Sequence, residues 1–147
     1  MEATELIGLK FTVSSTDYTV PLGIKVFIDD KIIYENSHVK KEELVEYHLQ
    51  DTDASHNLTF ELFGKLPAHT KINENGDILQ DVLISISKLE IDDIDILQMF
   101  QDLSVYRHNF NGTKDFIDDK FNGSMGCNGT VSLNFSTPFY VWLLENM

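Results

Sequence analysis

Alternation of apolar and polar residues is clearest in Gly23-Ile24-Lys25-Val26-Phe27-Ile28-Asp29. Successive side chains of a β-strand point to opposite faces, so the three aliphatic residues of this stretch share one face. Turn-forming residues follow in Asp29-Asp30-Lys31, and Ile32-Ile33-Tyr34 then returns to apolar character. The sequence therefore predicts a β-hairpin whose first strand has one buried face.

The same period of two recurs along the rest of the chain. It is found at residues 45–49, 58–62, 82–86 and 131–135. The predicted core consists of Ile24, Val26, Ile28, Leu58, Phe60, Leu62, Val82, Ile84, Ile86, Val131, Leu133 and Phe135. About eight strands separated by turn signals predict an all-β fold, an antiparallel β-sandwich of jelly-roll type.

Three segments depart from this alternation. The spacing of Ile91 and Ile94 breaks it at Asp92-Asp93, which predicts a bulge or a tight turn. Residues 97–103 fit one or two turns of a short helix. Beyond Pro138, residues 139–144 are apolar in both alternation classes, so a strand there would need cover on both faces.

Length and composition restrict the class of protein. The 147 residues form a single predicted domain, residues 1–147, and the 42% hydrophobic content excludes wholesale disorder. One cysteine, Cys127, cannot form an internal disulfide. The net charge of −13 repels phosphate backbones and argues against nucleic-acid partners. Neither a secretory signal nor a long apolar run is present, so we expect a chain made in the cytoplasm that does not enter a membrane.

Catalytic motifs are absent from the sequence. The five histidines lack zinc-site spacing and are expected on the solvated surface, and Cys127 lies in a glycine-rich loop without a recognised signature. We therefore predict no enzyme activity and no cofactor. The acidic residues Asp92, Asp93 and Asp95 form a candidate calcium site, with a solvated acidic surface as the alternative.

The segment after Pro138 is the candidate protein interface. Its apolar area must be covered by the chain's own loops, by a second layer, or by a partner subunit. The predicted contact residues are Phe139, Tyr140, Trp142, Leu143 and Leu144. Tyr140 and Trp142 are the predicted anchors, because aromatic side chains dominate interface energetics. Phe27 and Phe63 also occupy faces that are otherwise polar.

Residues 22–96 resemble the jelly-roll carbohydrate-binding modules. The resemblance is carried by Ile24-Lys25-Val26-Phe27-Ile28-Asp29-Asp30-Lys31, by Val45-Glu46-Tyr47-His48-Leu49 with His56-Asn57-Leu58-Thr59-Phe60-Glu61-Leu62, and by Val82-Leu83-Ile84-Ser85-Ile86 with Leu89-Glu90-Ile91-Asp92-Asp93-Ile94. It implies a glycan-binding module, calcium-dependent in some members, although the calcium-ligand loop of those members has no clear counterpart here. Such a module would carry an exposed aromatic platform or a calcium site between loops.

The chain also resembles small single-domain proteins of tailed bacteriophages. This likeness lies in the Asn- and Asp-rich composition, in residues 126–133 followed by 138–147, and in the lack of targeting signals. It implies a virion component, such as a capsid decoration, neck or tail-associated protein. Our leading expectation is thus a structural protein that contacts copies of itself or other virion proteins. Glycan binding is the alternative, and an enzyme of unknown type ranks third.

Overall fold

The computed structural model describes residues 6–147 as two antiparallel sheets packed face to face. Residues 1–5, which the sequence assigns to the same domain, lie outside the described part. The predicted all-β sandwich is confirmed. Most consecutive strands lie in different sheets, so the chain crosses repeatedly between the two layers.

Thirteen strands and two helices make up the described chain. In chain order the strands are β1 (Leu6–Ser15), β2 (Gly23–Ile28), β3 (Lys31–Asn36), β4 (Glu43–Gln50), β5 (Ser55–Phe63), β6 (Lys71–Ile72), β7 (Ile78–Gln80), β8 (Ile84–Ile91), β9 (Ile94–Asp95), β10 (Val105–His108), β11 (Ile117–Lys120), β12 (Ser124–Met125) and β13 (Gly129–Ser136). The helices are α1 (Leu97–Leu103) and α2 (Phe139–Asn146), and a single 3-10 turn spans Pro67–His69. The short helix predicted at 97–103 is confirmed as α1.

One sheet has five strands and the other has six. The five-stranded sheet runs in the order β12-β8-β1-β4, with β9 paired to β8. The six-stranded sheet runs β11-β10-β13-β5-β2-β3. Strands β6 and β7 form a separate hairpin that pairs only with itself among the described strands.

The predicted core lies between the sheets. Each of its twelve residues exposes 6% or less of its surface. Phe11 of β1 and Phe60 of β5 meet edge to face across the two layers, with ring centroids 5.1 Å apart. Phe60 in turn contacts Phe100 of α1, and Phe100 contacts Phe121, in the same geometry. This row of aromatic rings joins both sheets and a helix in one core.

Strand β1 was not predicted, although it lies at the centre of the five-stranded sheet. It pairs with β4 on one side and with β8 on the other. Ile7, Leu9, Phe11 and Val13 alternate along it and are buried. The period-two signal was therefore present at the start of the chain.

The turns agree with the residues that form them. Asp92 and Asp93 have φ values of 54° and 62° and make the two-residue turn between β8 and β9, which confirms the predicted tight turn. Gly76, with φ of +84°, lies in the turn of the β6–β7 hairpin. Asp29, with φ of 56°, begins the β2–β3 turn. Its carboxylate accepts a hydrogen bond from the backbone N–H of Asn57, at 2.9 Å, which ties this turn to β5.

The segment after Pro138 is a helix, so the strand reading of residues 139–144 is wrong. Phe139 and Trp142 are buried, whereas Tyr140 and Leu144 are exposed. Residues three or four apart share one helix face, so this burial has the helical period rather than the period of two. One side of a helix includes both odd-numbered and even-numbered positions. The core-facing side of this helix therefore contains Phe139 and Trp142, which a strand would place on opposite faces. Neither described helix is long and apolar enough to cross a membrane.

Candidate functional site

In the acidic segment proposed to bind calcium, two of the three carboxylates make contacts within the fold. Asp93 lies 3.6 Å from the ammonium of Lys10, across the sheet. The carboxylate of Asp95 accepts the backbone N–H of Leu97 at 3.0 Å, at the start of α1. Within residues 6–147 no three His, Cys, Asp or Glu side chains are grouped so that they could hold a metal ion. Asp92, Asp93 and Asp95 therefore do not form a calcium site in this structure.

The predicted interface residues divide between the core and the surface. Trp142 exposes 7% of its surface and stacks on Phe139 with ring centroids 5.5 Å apart. It also meets Phe135 of β13 edge to face. Trp142 and Phe139 are thus core residues, and the expectation that Trp142 anchors a partner is wrong. Leu143 is half-buried.

An exposed apolar surface remains on the outer side of α2. Tyr140 is 63% exposed and Leu144 is 70% exposed, and their spacing of four residues places them on one helix face. The end of α2 and helix α1 together line a cleft of about 360 Å³ that includes Leu103 and Met147. We call this combined area of Tyr140, Leu144, Met147, Leu103 and Met99 the helix-end surface.

The β6–β7 hairpin carries a second exposed apolar area. Its large aliphatic side chains, together with one just before the 3-10 turn, are more than half exposed. They are Leu66, Ile72, Ile78 and Leu79. The hairpin and the loop around Phe110 line a cleft of about 580 Å³. Soluble monomers rarely expose several such side chains together without a binding role.

A groove of about 470 Å³ lies over the outer face of the six-stranded sheet. One row of directly paired residues crosses this sheet on that face. From one edge to the other the row is Glu35, Lys25, Glu61, Thr130, Arg107 and Asp118. Paired residues in antiparallel strands point to the same side, so charged and hydroxyl groups converge there. The groove lies over the middle of this row, at Glu61, Thr130 and Arg107.

Two aromatic rings line the groove and are held in place by cations. The Lys25 ammonium lies over the ring of Phe63, at the end of β5, 5.2 Å from the ring centroid. Phe116, just before β11, is 55% exposed and lies 5.0 Å from the Arg107 guanidinium. Arg107 also donates to the Asp118 carboxylate at 3.0 Å, which fixes its orientation. Gly23 lies opposite Phe63 in β2, and a Cβ there would come within 2.4 Å of the ring.

Amide side chains supply further hydrogen-bonding groups to the groove. Asn128 accepts the backbone N–H of Lys65 at 2.9 Å and donates to the Lys65 carbonyl at 2.9 Å. Asn109 follows β10 and also lines the groove. The groove thus combines two aromatic walls with anionic, cationic and amide groups, which is the usual make-up of a site for a polar organic ligand.

A buried ion pair joins the segment after β5 to the segment before β8. The ammonium of Lys65 is completely buried and lies 2.6 Å from Oδ1 of Asp81. Burial opposes ionisation of Asp81, but hydrogen bonds from Lys65 and Thr70 outweigh it, so its pKa lies below the usual value. Since the lysine has no solvent contact, it serves the structure of the loops rather than an outside ligand.

Cys127 lies next to this pair and is half-buried. Burial raises the pKa of its thiol, which keeps it protonated and weakens it as a nucleophile. Its backbone N–H donates to the Tyr106 hydroxyl at 2.8 Å, and that hydroxyl donates to the Cys127 carbonyl. The loop containing Cys127 is thereby attached to β10.

Two of the five histidines are not on the solvated surface, contrary to expectation. His108 is buried between the rings of Tyr106 and Phe110, and its Nε2 lies 3.5 Å from Asp119. His56 donates through Nδ1 to the Asp29 carboxylate at 3.0 Å, and its Nε2 is buried with no hydrogen-bond partner in the described chain. The alternation pattern could not show this, because both side chains are covered by contacts distant in sequence.

The groove was missed by sequence reasoning, although one signal existed. Phe63 was visible as an apolar residue on a polar strand face. Phe116, Arg107 and Asn128 gave no local signal, because only the pairing of β10, β11 and β13 brings them together. Comparison of the chain with protein-family models, with curated proteins and with solved structures found no match.

Proposed function

We propose that this protein is a non-enzymatic assembly protein that acts through protein–protein contacts. The supporting observation is the helix-end surface, where Tyr140 and Leu144 project from α2 with more than 60% of their surface exposed. The virion of a tailed phage is the assembly that the sequence resemblance suggests. Copies of this chain and other virion proteins are the proposed partners.

The arrangement of the helix-end surface favours a protein partner. In its cleft, Met99, Leu103 and Met147 lie beside polar side chains, namely Asp95, Gln98, Asp102 and Asn146. An apolar centre with a polar rim is the usual anatomy of a protein interface. Because Phe139 and Trp142 hold α2 to the core, Tyr140 and Leu144 are presented on a rigid support.

Light scattering with size-exclusion chromatography tests this function on the full chain. We expect self-association that Tyr140→Ser with Leu144→Ser weakens at least about tenfold, since buried apolar anchors carry most interface energy. Ile78→Ser is the matched control, because Ile78 is equally exposed on the other apolar area. A chain that stays monomeric, or a helix-end variant that associates as strongly as the wild type, would contradict the proposal.

Glycan binding is the second candidate, and the groove is the observation that favours it. Phe63 and Phe116 line the groove, and Glu61, Thr130 and Arg107 offer acceptors and donors for the hydroxyl groups of a sugar. Titration with a panel of oligosaccharides tests this role. Phe116→Ala should abolish any binding, whereas Tyr140→Ala, which removes an equally exposed ring elsewhere, should not. Binding that survives Phe116→Ala, or no binding at all, would exclude the groove.

A further inference from the structure

Strand β4 is the longest edge strand of the two sheets, and charge, in Glu43 and Glu46, is the one protective feature that it carries. An open sheet edge presents unpaired backbone N–H and C=O groups, and proteins usually protect it by shortness, a bulge, proline or charge. β12 has two residues, β11 has four with Asp118 and Asp119 among them, and β3 pairs with β2 through a register shift. β4 pairs with β1 over eight residues without a shift and contains no proline.

The outer edge of β4 has no strand partner in residues 6–147. On its solvent face, Glu46 and His48 are exposed, and neither forms a hydrogen bond or ion pair with any described residue. On its inner face, Val45 and Leu49 are at the margin of the core with 8% and 7% of their surface exposed. A further strand would cover the remaining exposed area of Val45 and Leu49 and could offer hydrogen-bond partners to Glu46 and His48.

One antiparallel register of β4 with itself matches the central residues of both faces, and its only like-charge pair, Glu43 with Asp51, lies at the strand ends. Pairing about a two-fold axis must place inner-face residues opposite inner-face residues, so the axis passes through a residue rather than between two. With Tyr47 on the axis, Val45 faces Leu49 of the second copy and Glu46 faces its His48, each pair occurring twice. The imidazole N–H can donate to the glutamate carboxylate, and the aliphatic pair continues the core.

Neighbouring registers are less favourable, since an axis through His48 places Val45 opposite the carboxylate of Asp51. An axis through Glu46 places two identical carboxylates opposite each other, which is destabilising. An axis through Val45 sets Leu44 against Glu46. In the register through Tyr47, Glu46 has a basic or hydrogen-bonding partner on each neighbouring strand. Lys10 of β1 lies opposite it within the same chain, and His48 of the second copy lies opposite it across the dimer.

We infer that β4 pairs antiparallel with β4 of a second copy, with Tyr47 on the two-fold axis. The two five-stranded sheets then form one continuous sheet across the dimer. This contact does not use the helix-end surface, so it goes beyond the assembly role proposed above and can fail or hold independently of it.

Disulfide trapping tests the register directly. In full-length protein carrying Cys127→Ser, Tyr47→Cys places the two new thiols opposite each other, and mild oxidation should give a covalent dimer. Leu44→Cys is the matched control. In this register residue 44 lies opposite residue 50 of the second copy, so the two copies of residue 44 are six strand positions, or about 20 Å, apart. A disulfide spans a Cα separation of only about 4.4 to 6.8 Å. Cross-linking at 47 but not at 44 supports the inference. Equal cross-linking at both, or none at 47, overturns it.

Charge exchange provides a second test that does not depend on cysteine. Glu46→Lys should weaken dimerisation about tenfold, and adding His48→Glu to it should restore most of the loss, because lysine and glutamate then face each other. Circular dichroism checks that each variant is folded. A dimer unaffected by Glu46→Lys, or a wild type that is monomeric at millimolar concentration, overturns the inference. A dimer lost in the helix-end variant but never trapped at 47 overturns it while leaving the assembly role standing.

Discussion

The Lys65 ammonium and the Asp81 carboxylate lie 2.6 Å apart, and the lysine side chain is completely shielded from solvent. Oδ1 of Asp81 also accepts the Thr70 hydroxyl at 2.7 Å and the Val82 backbone N–H at 2.8 Å. Lys65 donates further to the Val82 carbonyl at 2.5 Å. This pair therefore joins Lys65, two residues beyond the end of β5, to the segment that enters β8.

Removing the carboxylate should cost more than removing the lysine. Asp81→Asn leaves a buried ammonium without a counter-charge, which costs about 3 to 5 kcal/mol, and we expect the lower end because Asp81 is 23% exposed. Lys65→Met replaces the cation with an apolar side chain of similar length and should cost less. Urea unfolding measures both, with Asp115→Asn on the surface as control. Equal losses for the two substitutions would contradict this account.

The free energy of unfolding should decrease at acid pH because the Asp81 carboxylate becomes protonated. The pKa of Asp81 lies below its unfolded value of about 3.9, so the folded state binds fewer protons. Its contribution is complete above that value and is lost as pH falls through the folded pKa, by at most about 1.4 kcal/mol per pH unit. Asp29, whose pKa is lowered by its hydrogen bond to His56, adds in the same direction. Unfolding measured from pH 6 to 2 should show a shallower decline in Asp81→Asn, and an unchanged profile would argue against this role.

The aromatic row makes Phe60 the most sensitive core position. Its ring centroid lies 5.1 Å from that of Phe11 and 5.6 Å from that of Phe100, so truncation opens a cavity between both sheets and α1. Phe60→Ala should cost about 3 to 5 kcal/mol, against a typical domain stability of about 5 to 15 kcal/mol. The same change at the exposed Phe116 should cost far less. Chemical denaturation compares the two variants, and similar losses would mean that the ring row is not a core.

The sequence predicted the core because burial in strands has a period of two that local residues express. Every predicted core residue from Ile24 to Phe135 is buried. The region after Pro138 was misread because six apolar residues satisfy both the strand and the helix period. The groove could not be foreseen, since Arg107 and Phe63 meet only through β13, whose position depends on non-local pairing.

Calcium should leave the melting temperature unchanged. Asp92 and Asp93 form a turn with positive φ, Asp95 accepts a backbone N–H of α1, and within residues 6–147 no three His, Cys, Asp or Glu side chains are grouped to hold a metal ion. Addition of calcium or of a chelator should shift the melting temperature by less than about 1 °C in scanning calorimetry. A rise of several degrees with calcium would show preferential binding to the folded state and restore the calcium site.

Truncation of Trp142 should destabilise the fold far more than truncation of Tyr140, although the two residues are only two positions apart. In a strand both side chains would lie on one face and lose similar energy, whereas in a helix they point about 200° apart. Trp142 packs against Phe139 and Phe135, so Trp142→Ala should destabilise the fold by about 3 to 5 kcal/mol. Tyr140→Ala removes an exposed ring and should stay within about 0.5 kcal/mol of the wild type. Denaturation at low protein concentration measures both without interference from association, and equal effects would reject the helix and return residues 139–144 to a strand.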